Sequence, residues 1–162
     1  GVDVGAPVAD LEWDSRRQIL WALTDTLLLG LQWAGDSLRI SSRTRVDAGG
    51  RSLTSHGDRL AVALGSDGIT LFDTADPAAT REIARWAGAR FVYDATLTGD
   101  RVYAGAGPEG VFVIDVSSVP LRTIGLAFDL GFAATLLSRD GYTYILDRRT
   151  SSVRRISTPT TR

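Results

Sequence analysis

Residues 99–116 read GDRVYAGAGPEGVFVIDV: a polar corner, an apolar run, a glycine-bearing turn, a second apolar run, and an aspartate that stops it. Two short apolar runs bounded by such turn residues predict two buried strands joined by a tight turn. The same pattern recurs at 57–74, GDRLAVALGSDGITLFDT, and more loosely at 24–42, TDTLLLGLQWAGDSLRISS. A module is copied along the chain. Aligning the aspartates at the first polar corner gives Asp25, Asp58, Asp100 and Asp140, spaced 33, 42 and 40 residues apart (25 to 58, 58 to 100, 100 to 140).

A period near 40 built from β-type runs predicts the blades of a β-propeller, since helical repeats of that length would show 3.6-residue patterning. Four strands are expected in each repeat. In the second they fall at about 51–56, 59–65, 69–73 and 80–86, and in the third at about 91–98, 101–106, 111–116 and 121–128. The middle strands are apolar on both faces, as a sheet stacked between two neighbours requires. Arg81, Glu82 and Arg85 interleave with Ile83 and Trp86 as on a rim strand, where charge blunts edge pairing. The expected fold is all-β: one domain over 1–162, with repeats at about 17–50, 51–90, 91–130 and 131–162. The fourth repeat lacks a fourth strand, and the first 16 residues hold a strand, Val8–Trp13, without the other strands of its module. That strand is expected to close the last blade, because closure removes exposed sheet edges. Two alternatives stay open: a half-ring completed by a second chain, and a fragment of a longer propeller.

The third repeat, and the copy ending ITLFDTADP at 69–77, resemble the LVIVD repeat of bacterial and archaeal cell-surface β-propellers, in which an apolar strand ends in an aspartate before a short turn. The first and fourth repeats depart from it, with LRISSRT at 38–44 and TYILDRRT at 143–150. The resemblance implies a propeller fold and a surface or secreted location, and it brings no catalytic residues.

Composition narrows the function classes. The chain carries 18 basic and 19 acidic residues, so a net charge of −1 leaves no footprint for nucleic acid. The most apolar window, 19–33, is interrupted by Asp25 and Gln32 and is too short to span a bilayer, so membrane insertion is not expected. There is no cysteine, hence no disulfide framework, thiolate nucleophile or cysteine metal site. Methionine is absent too, so Gly1 is expected to follow processing or to begin a fragment.

Several motifs look like chemistry and fail on context. GAGPEG at 105–110 satisfies G-x-G-x-x-G, yet VFVIDV follows where a dinucleotide site needs a helix. GDSL at 35–38 offers Ser37 as a hydrolase nucleophile, but the chain has no asparagine for an oxyanion donor and one histidine, with Leu53 where D-x-x-H needs an aspartate. Its Gly35-Asp36-Ser37 aligns with the turn Ser66-Asp67-Gly68. Lone His56 makes no convincing zinc site, and no D-x-D-x-D-G calcium loop occurs. Asp58, Asp73, Asp100 and Asp115 are expected to cap turns through backbone hydrogen bonds. Trp13, Trp21, Trp33 and Trp86 are expected in the core or between blades. No cofactor or metal is expected.

Two candidate sites remain. Arg17, Arg51 and Arg90 each precede an inner strand and are expected on one loop face with the turns at 33–36, 66–68, 107–110 and 147–149, where they would hold an anionic group. The central channel offers His56 and Asp94 as its acid-base groups, thin equipment for catalysis. The expected function is a non-enzymatic scaffold that binds a protein or anionic partner, or another copy of itself. A channel binder or enzyme is the alternative.

Overall fold

Five-residue apolar runs between glycine-aspartate corners fold as the spacing predicts, into short antiparallel meanders. The computed structural model describes residues 1–47 and 49–158; position 48 and the last four residues of the fourth expected repeat lie outside the described residues. The first sheet comprises β1 (Val8–Asp14), β2 (Ile19–Thr24), β3 (Leu27–Ala34) and β4 (Ser37–Arg45). The second holds β5 (Ser52–His56), β6 (Arg59–Ala63), β7 (Ile69–Asp73) and β8 (Arg81–Trp86), and the third β9 (Asp94–Thr98), β10 (Arg101–Gly105), β11 (Val111–Asp115) and β12 (Arg122–Ala127). The last sheet has three strands, β13 (Ala133–Arg139), β14 (Tyr142–Asp147) and β15 (Ser152–Ser157). Every strand pairs with its sequence neighbour, so each sheet is a simple up-and-down meander. The one helical element among the described residues is a 3-10 turn at Pro77–Ala79, opened by Asp76, whose carboxylate accepts from Ala78 N at 3.0 Å.

The first repeat is framed one strand later in the sequence than in the molecule. β1 pairs with β2 through six residue pairs, Val8 with Thr24 to Asp14 with Ile19. It is the first strand of the first sheet and does not complete the last one, which corrects the expectation for residues 1–16. Asp25 consequently lies between β2 and β3, whereas Asp58, Asp100 and Asp140 lie between the first and second strands of their sheets. The true counterpart of those corners is Ser15-Arg16-Arg17-Gln18.

Three apolar seams bind the sheets face to face. Trp21, Leu23 and Leu28 of the first sheet meet Leu53, Leu60 and Phe72 of the second. Ile69, Leu71 and Trp86 meet Val102, Ala104 and Ile114. Tyr103 and Val111 meet Leu136 and Ile145. The remaining face of the first sheet, with Ala22, Leu29 and Leu31, is packed by Val2 and Val4 of the N-terminal segment. Of the tryptophans, Trp21 and Trp86 are core, while Trp13 and Trp33 are exposed, Trp33 at 65% on a β3–β4 hairpin that outruns β2.

Polar side chains stitch the first strands together. Asp10 Oδ2 accepts from Leu53 N at 2.8 Å, and Glu12 Oε1 from Ser55 N at 3.0 Å. Ser52 Oγ then accepts from Ala95 N at 3.1 Å, Thr54 Oγ1 from Leu97 N at 3.1 Å, and Asp94 Oδ2 from Leu136 N at 2.7 Å. Each first strand thus offers side-chain oxygens to the backbone of the next, so β1, β5, β9 and β13 run in the same direction.

Candidate functional site

This shared direction gives the four sheets two common ends. One end carries the first-to-second strand turns. There Arg17, in the β1–β2 turn, donates to Asp14 Oδ2 at 2.9 Å and Gly57 O at 2.8 Å and pairs with Asp58. Arg59 repeats the gesture one sheet on, donating to Asp100 Oδ1 and to Val116 O, both at 2.9 Å. Asp58 and Asp100 therefore receive arginines from the neighbouring turns, where backbone capping was expected. Asp73 and Asp115 do cap, accepting from Ala75 N at 3.0 Å and Ser117 N at 2.8 Å.

Arg51 and Arg90 lie at the opposite end, on the connections entering β5 and β9, so the structure does not bring Arg17 to them. The turn Trp33–Asp36 joins β3 to β4 and also lies at the Arg17 end, apart from the turns at 66–68, 107–110 and 147–149. Ser37 begins β4 and spends its hydroxyl on Ala34 O at 3.2 Å. The Gly105–Gly110 motif is a strand-to-strand turn, closed by Gly110 N to Gly107 O at 3.2 Å.

What the Arg51 end does assemble is a row of rings. The Arg51 guanidinium lies over Phe91, 5.2 Å from the ring centroid; Phe91 meets Tyr93 at 4.6 Å, and Tyr93 meets Phe132 edge-on at 5.0 Å. The three rings are half-buried and Arg51 is exposed. Phe91, Tyr93 and Phe132 immediately precede or nearly precede β9 and β13, which lifts them out of the seams and onto the end of the sheets. The row crosses the turns at glycine: a Cβ on Gly107, whose φ is +59°, would come within 2.8 Å of the Tyr93 ring and 3.1 Å of Phe132. Arg90 flanks the row, its backbone N–H held by Glu109 Oε1 at 3.1 Å. A row of tilted aromatic rings with a guanidinium over its first member suits apolar, planar or anionic groups on a partner. The signal for it in the sequence, F-x-Y at 91–93 and G-F at 131–132, was hidden inside an apolar run.

The cavity beside the first strands is a separate place. Asp10, Glu12, Thr54, Asp94 and Leu137 are among the residues that line it, so all four first strands contribute to a space of about 270 Å³. Burial pushes the Asp94 carboxyl above its ordinary range, opposed by its hydrogen bonds from Leu136 and Ser52, with Asp10 adding repulsion. His56 does not line this cavity; it is exposed at the far end of β5, beside Gly57 and Asp58. The structure thus separates the two channel candidates and supplies Asp10 and Glu12 in place of His56. Their oxygens are engaged by backbone N–H groups of the next sheet, which is a clamp between sheets. Among the described residues no group of three or more acidic or histidine side chains is placed to hold a metal ion, and no helix is long and apolar enough to cross a membrane.

The class these features define is an all-β protein of four sequential antiparallel sheets stacked face to face. No family model matches the chain, and no curated protein matches it. Solved structures do share its fold. The computationally designed Ika4 protein superposes with a TM-score of 0.75 at 10% identity, over 97% of this chain and 94% of that one. The computationally designed Ika8 protein gives 0.72 at 9% identity over 93% of this chain and 45% of its own. At such identity the likeness is one of fold alone.

Proposed function

We propose that the four sheets are the blades of a β-propeller of the LVIVD-repeat kind, and that the chain is an interaction scaffold whose binding face is the end bearing Arg51, Phe91, Tyr93 and Phe132. The half-exposed aromatic row carries this proposal. Rings packed against one another and flanked by a guanidinium offer contact area at little cost in side-chain entropy, the property that concentrates aromatic and arginine residues at binding hot spots. The resemblance to cell-surface propellers favours an extracellular or surface location and a protein partner, with anionic groups meeting Arg51 and Arg90. Carboxylates committed to backbone hydrogen bonds, with the histidine elsewhere, support binding over catalysis.

The test is selection of a displayed random-peptide library on the immobilised protein, followed by binding of the winners to an Arg51→Ala/Tyr93→Ala double variant. Selected peptides should lose at least about tenfold in affinity on the variant, as expected when hot-spot side chains are truncated. Undiminished binding, with the variant's β-sheet circular dichroism intact, would overturn the proposal.

A further inference from the structure

The last sheet ends at β15, whereas each of the other three carries a fourth strand on the corresponding edge. Among the described residues nothing pairs with that edge of β15. Every second residue of an edge strand directs its N–H and C=O outward, which makes the edge a template for another strand.

Beside this edge runs a groove of about 390 Å³ between the third sheet and β15. Its floor follows one cross-strand row, Tyr103–Val113–Gly125. Comparison with the second sheet shows why it is open. There Ala84 and Trp86 stand opposite Leu71 and Ile69, and Trp86 reaches across to the third sheet, 5.2 Å from Phe112 and donating to Thr123 Oγ1 at 2.9 Å. In the third sheet the corresponding partners of Val113 and Val111 are Gly125 and Ala127, which leave that volume unfilled. Ala127 and Ile156 add apolar lining. Tyr103, only 1% exposed, lines the groove with a hydroxyl that has no hydrogen-bond partner. A buried hydroxyl left unpaired is costly, so its place beside the groove points to an occupant with an acceptor.

We propose that the β15 edge and this groove take an extended segment of another polypeptide as the fourth strand of the last sheet, apolar toward the groove and acidic on its outer face. Main-chain hydrogen bonds would supply affinity and alternate side chains specificity, the mode of β-strand addition. Charge selects the occupant. From 139 to 158 the chain has five arginines and two aspartates, and Arg155 stands on the outer face of β15 over the Tyr142 ring at 4.4 Å. Pairing of β15 with a second copy of itself would set Arg154 and Arg155 against their counterparts, and like charges across a strand pair are destabilising. An acidic strand meets the opposite condition.

The probe is a fluorescein-labelled peptide of about eight residues, a common strand length, alternating valine and glutamate with threonine at one central inward position. It should bind the intact chain and slow amide exchange over 152–157. Gly125→Leu places a side chain in the groove without a forced contact, since a Cβ there meets only Val113, at 3.5 Å. Affinity for that variant should fall at least about tenfold, and Tyr103→Phe should erase the preference for threonine over valine at the central position. Arg155→Glu should invert the charge preference, favouring a valine–lysine peptide. Absence of binding, protection elsewhere than 152–157, or equal affinity for Gly125→Leu would overturn the proposal. So would self-association of the wild type that Gly125→Leu abolishes, because the occupant would then be a second copy.

Discussion

Asp147 shows how much one side chain holds at the end of the last sheet. Its carboxylate accepts from Phe132 N and Arg149 N, each at 2.9 Å, and from Thr150 Oγ1 at 2.5 Å, with no exposed surface on the residue. It thereby ties the connection carrying Phe132, one member of the aromatic row, to the β14–β15 turn. Gly131 is required beside it: φ is +76°, and a Cβ would lie 1.9 Å from Asp147 Oδ2. The hydrogen bond from Phe132 N, followed by that from Thr150, holds this carboxyl well below the usual aspartate range. A depressed carboxylate contributes stability that is present above its unfolded value, about 3.9, and lost as pH falls below it. Wild-type unfolding free energy should therefore drop between about pH 5 and pH 2 more steeply than that of Asp147→Asn, whose amide cannot titrate. Parallel profiles in urea titrations at stepped pH would refute this role. Buried Asp94 has the opposite sign, and its stabilising contribution shrinks as pH rises, so the difference between the two Asp147 forms is the quantity to measure.

The turns joining first and second strands act as clasps between sheets, and their strengths differ by burial. Arg17 is 12% exposed against Asp14 at 8%, whereas Arg59 and Asp100 are 33% and 52% exposed. Removing Arg17 strands a buried carboxylate, so Arg17→Met should cost about 2–3 kcal/mol, below the figure for a fully buried pair because Asp58 is half in water. Arg59→Met should cost less than about 1 kcal/mol, as solvated pairs do. Urea unfolding of the two variants decides it, and equal losses would refute the burial argument. The same clasps mark what the sequence could and could not disclose. Gly-Asp-Arg at 57–59 and 99–101 is a corner followed by a strand in both copies, and the strands around it fell within a few residues of their observed bounds. The corner Ser15–Gln18 has neither glycine nor aspartate, and Gln18 itself takes φ +55°. Thr24-Asp25-Thr26 imitated the missing corner, which displaced β1 to the wrong sheet and Arg17 to the wrong end. The aromatic row was invisible for another reason: Phe91, Tyr93 and Phe132 differ from core residues only in standing just before their strands, which residue type does not encode.

Stacking in sequence leaves the molecule with two terminal faces, one on the first sheet and one on the last. Leu11 is 53% exposed on the first and Leu137 61% on the last, yet both line the cavity that Asp94 reaches. The ladder of hydrogen bonds from each first strand to the next runs from β1 to β13. Residues of the first and last strands line one space of about 270 Å³, so closure within one chain predicts that a short tether reaches from Leu11 to Leu137. The chain contains no cysteine, so a Leu11→Cys/Leu137→Cys variant presents one defined pair. A short bismaleimide should link that pair within a monomer, giving a faster-migrating single chain at all protein concentrations. Linkage that yields only covalent dimers, growing with concentration, would instead show two chains completing one ring, with the terminal faces as their interface.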